Sequence, residues 1–252
     1  MADYQKLLEV AKAAAIDAGE KIIEIYESGD FSVEAKSDDS PLTKADKASH
    51  HAIVGYLEQT GLPILSEEGS AVAYEERKDW DLFWMIDPLD GTKEFIKKNG
   101  EFTVNIALIA KNTPVMGVVY TPVLKDLFWA VKGEGAFKNG SQISVNDKNL
   151  SDPQLKVVAS RSHLNEETEQ FMSRLTDPEI VSKGSSLKLL MVAEGEADLY
   201  PRYAPTMEWD TAAAQILVEE AGGAVNIANS SIPVTYNKEN LLNPYFLVKG
   251  KL

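Results

Sequence analysis

Residues 84–95 read WMIDPLDGTKEF, and this stretch decides how the rest of the chain is interpreted. An apolar run leads directly into two carboxylates, Asp87 and Asp90, with a proline between them. Because Pro88 has no backbone N–H and fixes its own φ, we expect the strand to end there. An Asp-Pro turn and a chemical site both explain such a segment, and the segment alone leaves the two interpretations open.

The residues that follow favour a site. Gly91 and Thr92 come next, and KEFIKK (93–98) has the composition of a short helix. Free backbone N–H groups at the start of a helix suit a phosphate. Carboxylates beside such a start suit Mg²⁺, which binds through a few carboxylates, phosphate oxygens and water.

Three further segments carry acidic residues at turns or helix starts: SEEG (66–69) with Glu67 and Glu68, PLTKAD (41–46) with Thr43 and Asp46, and EWDTAAAQ (208–215) with Asp210. Each has an ordinary explanation when taken alone. Asp210 and the Thr43–Asp46 pair suit helix capping, and the glutamates suit a solvated turn.

The composition of the 252 residues excludes several classes of protein. There is no cysteine, so disulfides, cysteine-ligated zinc and a thiol nucleophile are excluded. The net charge of −14 argues against binding to a nucleic acid polymer. The start lacks the pattern of a secretory signal, and no apolar run approaches about 18 residues. We therefore expect a cytoplasmic protein without a transmembrane segment. Peripheral association with the inner membrane, and the choice between monomer and homodimer, stay open.

The order of helical and β-rich segments along the sequence predicts a layered α/β protein of mixed α+β type. Residues 3–28 have helical apolar spacing closed by Gly29, and a second helix is expected from near Thr43 to about Gly61. Residues 102–138 contain four β-rich runs broken by Asn, Pro and Gly, which is typical of an antiparallel meander. Near residue 150 the β-rich runs give way to alternating strand and helix segments, so we expect two units, residues 1–150 and residues 151–252.

Two segments resemble signatures of a known family. WMIDPLDGTKEF is similar to the D-P-[IL]-D-G-T signature of the inositol-monophosphatase-like family of Mg²⁺-dependent, lithium-sensitive phosphatases. EWDTAAAQILVEEAGG resembles that family's second signature, and SEEG and PLTKAD fall in the expected order. The resemblance extends from about residue 41 to about residue 223. It implies a layered αβαβα sandwich and two or three Mg²⁺ ions.

The resemblance also implies a role for each matching residue. The metal ligands would be the backbone carbonyl of Leu89 and the carboxylates of Glu67, Asp87, Asp90 and Asp210. Asp46 with Thr92 would polarise the attacking water, Glu68 would support the ligands, and the substrate phosphate would lie against Gly91, Thr92, Glu67, Leu89, Asp90 and Asp210. Metal ions would lower the pKa of bound water and neutralise the phosphoryl oxygens, so an anionic substrate could approach a protein of this charge.

The sequence DGTKEF (residues 90–95) departs from the DGTTNF that is typical of inositol monophosphatases. It resembles the branch of phosphatases that removes the 3'-phosphate of adenosine 3',5'-bisphosphate, a reaction of sulfur assimilation. Candidates for the second phosphate or the nucleoside occur in ASRSH, GSSLK and DLYPRY: His163, Ser185, Lys188 and Arg202. Each is also explained as a structural polar residue or a helix-start residue.

One substitution supports the nucleotide interpretation. Inositol monophosphatases have an acidic residue for the inositol ring at the position of Tyr203, which here adjoins Arg202. Loss of an acid beside an arginine fits a substrate with an extra phosphate. The alternatives are an inositol or sugar phosphatase and, in a different class, a metal-binding regulatory protein without turnover.

Overall fold

The computed structural model describes residues 3–35, 41–159 and 165–251. Its helices are α1 (Tyr4–Ser28), α2 (Lys44–Leu57), α3 (Tyr74–Arg77), α4 (Thr92–Ile96), α5 (Glu166–Met172), α6 (Leu187–Ala193) and α7 (Ala212–Glu220). Its strands are β1 (Glu34–Ala35), β2 (Pro41–Leu42), β3 (Ile64–Ser66), β4 (Leu82–Asp90), β5 (Thr103–Ala110), β6 (Thr113–Thr121), β7 (Asp126–Val131), β8 (Gly135–Lys138), β9 (Ser141–Ile143), β10 (Lys156–Ala159), β11 (Glu179–Ser182), β12 (Leu199–Arg202), β13 (Ala224–Ile227) and β14 (Phe246–Lys249).

The first two helices follow the sequence expectation. Asp3 caps α1, and Gly29 ends it in the left-handed conformation, at φ 74°, with its N–H donating to the Ile25 carbonyl. Thr43 caps α2 through a reciprocal capping box with Asp46. A 3₁₀ turn continues α2 as far as Thr60.

Two sheets and three helical layers form the αβαβα sandwich that the resemblance implied. The large sheet has the order β3-β4-β5-β6-β7-β8-β9, and from β4 onward it is the expected antiparallel meander. Helices α1 and α2 pack on one face of this sheet. Helices α6 and α7 lie between it and the small sheet, whose order is β11-β10-β12-β14-β13, and α5 packs on β12 of the small sheet.

The hydrophobic core follows these layers. One cluster lies between α1, α2 and the large sheet and includes Ile22 and Trp84. A second lies between the two sheets and includes Phe83 from β4 and Leu217 from α7. The chain crosses from the large sheet to the small sheet between β9 and β10. The boundary near residue 150 falls in this crossing, and the division into two units stays a prediction.

A close approach between α7 and the large sheet fixes where α7 begins. A Cβ atom on Gly117, in the middle of β6, would lie 2.2 Å from the Ala213 carbonyl oxygen and 2.6 Å from Ile216 Cγ2. Only glycine leaves room for this contact. The contact places the first turn of α7, and therefore Asp210 just before it, above the large sheet.

The expectation that the strand ends at Pro88 is wrong. Strand β4 continues to Asp90, with a shift of register against β5. Asp87 is opposite Asn105 and Asp90 is opposite Thr103, so β4 carries one extra residue between the two pairs. Such a bulge tolerates proline because the extra residue does not have to donate to the ladder. Asp87 and Asp90 therefore flank the bulge, at the end of β4 that leads into α4.

Across residues 3–35, 41–159 and 165–251, no helix has both the length and the apolar character that a membrane span requires.

Candidate metal and phosphate site

A cleft of about 450 Å³ opens where β4 ends and α4 begins. It brings together most of the residues singled out from the sequence: Glu67, Asp87, Leu89, Asp90, Gly91, Thr92, Ser185, Lys188, Arg202 and Asp210. Residues up to position 92 come from the large-sheet half of the chain, and the others come from the start of α6, the turn before α7 and the end of β12. His163 lies outside the described residues.

Three carboxylates converge in this cleft. Glu67, Asp87 and Asp210 each offer an oxygen atom, and the three atoms all lie within 4.8 Å of one another. Glu67 follows the end of β3, Asp87 lies in the β4 bulge, and Asp210 precedes α7. Oxygen ligands at this mutual distance suit one shared hard cation.

The electrostatics of the cluster also favour a cation. Burial raises the pKa of Asp87 well above its usual range, and the neighbouring charge of Glu67 raises it further. Burial and then the charge of Asp90 do the same for the pKa of Asp210. Ionised carboxylates this close together in a buried cleft repel one another, which destabilises the folded protein. A bound divalent cation offsets this repulsion. The donor set therefore fits Mg²⁺ on chemical grounds.

The structure places Asp210 one residue before the N-cap. Thr211 occupies the N-cap position of α7. The Asp210 carboxylate accepts a hydrogen bond from the Met207 N–H at 2.9 Å. This contact fixes one carboxylate oxygen within its own turn.

Asp90 is held by the start of α6. Its Oδ2 accepts hydrogen bonds from Ser185 Oγ (2.8 Å), Ser186 N–H (2.6 Å) and Ser186 Oγ (2.7 Å). Leu89, just before it, donates its N–H to Asp87 Oδ1 over 3.1 Å. The two aspartates of the motif are thus oriented by different partners, Asp87 by its own turn and Asp90 by the second half of the chain.

Asp46 performs two tasks at once. Its Oδ2 accepts the Thr43 N–H at 2.7 Å, which completes the capping box of α2. Its Oδ1 accepts a hydrogen bond from Thr92 Oγ1 at 3.0 Å. Asp46 is buried, and burial raises its pKa, while the hydrogen bonds from Thr43 and Thr92 oppose that rise. Capping and contact with Thr92 therefore coexist in one carboxylate.

Gly91 is required where β4 passes into α4. Its φ is 95°, in the left-handed region, and a Cβ atom would lie 3.0 Å from the Glu101 carbonyl oxygen and 3.3 Å from Ser185 Cβ. The backbone can therefore approach the cleft closely here. Its role in holding a phosphate stays a prediction.

The two candidate cations differ in how they are held. Lys188 Nζ donates to the Ser185 carbonyl over 2.6 Å, and burial lowers the pKa of Lys188 to about 8. Arg202 donates its Nε to Thr206 Oγ1 over 2.7 Å and its Nη2 to the Pro205 carbonyl over 2.9 Å. Its Nη1 has no hydrogen-bond partner among the residues that the structure describes.

Three other candidates occupy distinct positions. Ser185 Oγ contacts Asp90 and Thr103, so its hydroxyl is already used within the protein. Tyr203 is buried against Phe171 and Tyr245. The Glu68 N–H donates to Ser66 Oγ, and the charge of Glu68 raises the pKa of Asp46.

Sequence reasoning missed the polar residues that brace Asp90. Asn105 on β5 donates to Ser186 Oγ over 2.8 Å, and Thr103 donates to Asn105 Oδ1 over 3.0 Å. All three residues are buried. A signal existed, because an asparagine inside the apolar run FTVNIALIA must find a partner when that strand is buried.

Comparison with known proteins agrees with this geometry. The model of the inositol monophosphatase family matches residues 3–246. The 3'(2'),5'-bisphosphate nucleotidase CysQ of Salmonella typhimurium is 44% identical over 249 residues, which cover 96% of this chain and 99% of that protein.

Solved structures extend the comparison. The crystal structure of CysQ from Bacteroides thetaiotaomicron, described as a bacterial member of the inositol monophosphatase family, is 47% identical, covers 99% of both chains and superimposes with a TM-score of 0.87. An inositol monophosphatase from Anabaena is 28% identical, with a TM-score of 0.77 over 100% of this chain and 93% of its own. The chain therefore belongs to the inositol monophosphatase family.

Proposed function

We propose that this chain is a Mg²⁺-dependent hydrolase that removes the 3'-phosphate of adenosine 3',5'-bisphosphate, giving AMP and phosphate. The observation that carries the proposal is the cluster of Glu67, Asp87 and Asp210 in one cleft with the Thr92 hydroxyl that Asp46 holds. The choice of substrate is supported by the near full-length similarity to a 3'(2'),5'-bisphosphate nucleotidase.

Two or three Mg²⁺ ions would be held by one set of oxygen atoms: the carboxylates of Glu67, Asp87, Asp90 and Asp210 and the carbonyl of Leu89. When bound, Mg²⁺ supplies positive charge that makes a water molecule more acidic and neutralises the phosphoryl oxygens. The buried and mutually repelling carboxylates of the cleft explain why such charge is needed.

The protein's own residues would handle the proton of the attacking water. Thr92 Oγ1 donates to Asp46 Oδ1, so a lone pair of the same oxygen is free to accept a hydrogen bond from water. As water attacks phosphorus, its proton would pass to Thr92 Oγ1 and the Thr92 proton to Asp46. The bond from phosphorus to the ribose 3'-oxygen would break at the same time, and that oxygen would take a proton from solvent. The raised pKa of Asp46 suits a proton acceptor.

Substrate binding would use two groups of residues that line the cleft. The scissile phosphate would lie against the backbone of Gly91 and Thr92. The second phosphate would lie against Arg202, whose Nη1 meets no hydrogen-bond acceptor in the part of the chain that the structure describes. Lys188 and Lys93 add positive charge to the cleft lining, whereas Ser185 acts through Asp90. A contact with His163 stays a prediction, as do the cytoplasmic location, peripheral membrane association and the choice between monomer and homodimer.

The experiment is the release of phosphate by the purified protein in the presence of Mg²⁺, with adenosine 3',5'-bisphosphate and inositol 1-phosphate as parallel substrates. We expect faster release from the bisphosphate and none after chelation of the metal. Faster turnover of inositol 1-phosphate would favour the inositol or sugar phosphatase alternative. No turnover of either substrate would favour a regulatory protein.

A further inference from the structure

Ser186 occupies the junction between the two halves of the candidate site. It is the N-cap residue of α6 and is 1% exposed. Its hydroxyl oxygen lies 2.7 Å from Asp90 Oδ2 and 2.8 Å from the backbone carbonyl oxygen of Asp210. Asp90 belongs to the large-sheet half of the chain, and Asp210 precedes the helix that packs on that sheet from the other half.

The hydrogen-bond inventory makes this hydroxyl a bridge. A serine hydroxyl has one hydrogen and two lone pairs. The Asn105 amide donates to the oxygen over 2.8 Å, so one lone pair is occupied and the hydrogen is left for Asp90 or Asp210. Both acceptors are within hydrogen-bond distance of one atom, and Asn105 fixes that atom from β5.

The backbone N–H of Ser186 strengthens the hold on one side. It donates to Asp90 Oδ2 over 2.6 Å, so Asp90 is fixed even when the hydroxyl turns toward Asp210. Asp210 receives a side-chain contact from α6 through the Ser186 hydroxyl. Removing this hydroxyl therefore loosens Asp210 relative to Asp90 more than it loosens Asp90 itself.

We propose that Ser186 is a positioning residue that sets the separation between Asp90 and Asp210 and thereby the affinity of the site for a divalent cation. The inference rests on the proposed metal site. Loss of a hydrogen bond to a charged or strongly polar partner in a buried place weakens binding of the cation by about tenfold.

Ser185 provides a matched comparison. Its hydroxyl also donates to Asp90 Oδ2, over 2.8 Å, but its second partner is Thr103. Removal of the Ser185 hydroxyl leaves Asp90 with both contacts from Ser186 and leaves the contact between Ser186 and Asp210 intact. A bridging role thus predicts a larger effect at Ser186 than at Ser185.

The test measures binding of Mn²⁺ chloride alone to the metal-free full chain, by the electron paramagnetic resonance signal of free Mn²⁺ or by calorimetry. We expect Ser186→Ala to bind about tenfold more weakly than the wild type, and Ser185→Ala to lose no more than about threefold. Thr121→Val removes a buried hydroxyl at the β6–β7 turn, away from the cleft, and should retain wild-type affinity.

Each outcome decides a separate question. Wild-type affinity in Ser186→Ala, or an equal loss in Ser185→Ala, would overturn the bridging role. Failure of the wild type to bind Mn²⁺ would instead refute the proposed metal site. If thermal melting shows that Ser186→Ala is unfolded, Ser186→Cys fills the position with a weaker donor and must show the same loss of affinity.

Discussion

Thr92 Oγ1 donates a hydrogen bond to Asp46 Oδ1 over 3.0 Å, and this contact between residues 46 positions apart joins the first turns of α4 and α2. The other oxygen of the same carboxylate holds the Thr43 N–H. The capping box of α2 therefore holds the Asp46 carboxylate in place, and this carboxylate in turn fixes the Thr92 hydroxyl. A hydroxyl held in this way is suited to orient water in a reaction rather than only to bind substrate.

Replacing Thr92 with valine should lower kcat by about a hundredfold and change KM little. A group that only assists proton transfer acts in the transition state, and such groups contribute about 10²- to 10⁴-fold. Thr92→Ser keeps the hydroxyl and should retain most of the activity. Steady-state kinetics on the bisphosphate checks this. A change confined to KM would mean that Thr92 contacts the phosphate and does not assist water.

The cluster of motifs could be predicted from sequence, whereas the course of the backbone between them could not. Pro88 indicated the end of a strand, yet β4 continues to Asp90. The reason is tertiary, because the bulge depends on the register that β5 imposes. Asp46 shows the opposite case, since its spacing from Thr43 predicted a cap and the resemblance predicted the contact with Thr92.

The bracing residues show why the remaining part of the site was not predictable. Ser186 lies four residues from the end of β11 and far along the chain from Asp90. Nothing in local spacing indicates that its hydroxyl meets both Asp90 and Asp210, because those contacts require two sheets to be stacked with α6 and α7 between them. A buried asparagine in β5 was the available clue.

Replacing Gly117 with alanine should destabilise the protein by at least about 1–3 kcal/mol, because overpacking forces the backbone or side chains to move. The new Cβ would lie 2.2 Å from the Ala213 carbonyl oxygen, which belongs to a helix and cannot yield easily. Chemical denaturation measures the change. Gly55→Ala is the control, since Gly55 lies inside α2 with nothing within 4 Å of the new Cβ. It should stabilise the protein by about 0.5–1 kcal/mol.

The metal-free protein should lose stability as the pH rises. Burial gives Asp87 a folded-state pKa well above its ordinary 3.8. Its contribution to the free energy of unfolding is therefore complete below pH 3.8 and is lost as the pH rises through the raised pKa. Thermal melting in a chelator, over a series of pH values that rises from the ordinary 3.8, should show this fall, and Asp87→Asn should flatten it. Saturating Mg²⁺ should stabilise the wild type more at the higher pH values, because protons then compete less with the cation.

A pH dependence in Asp87→Asn identical to that of the wild type would argue against a buried charge cluster. The same variant should lose activity by orders of magnitude.

Replacing Arg202 with alanine should discriminate between substrates with two phosphates and substrates with one. A charge-assisted contact with the second phosphate contributes about 1.5–3 kcal/mol, so kcat/KM for adenosine 3',5'-bisphosphate should fall roughly tenfold to a hundredfold. Adenosine 3'-phosphate lacks that phosphate and should be hydrolysed at nearly the wild-type rate. Thr206→Val is the control, because it removes the acceptor for Arg202 Nε but leaves the positive charge in place. We expect a smaller loss from that variant. Equal losses on both substrates for Arg202→Ala would assign Arg202 to holding the turn that contains Pro205, and the second phosphate would then have to bind elsewhere in the cleft.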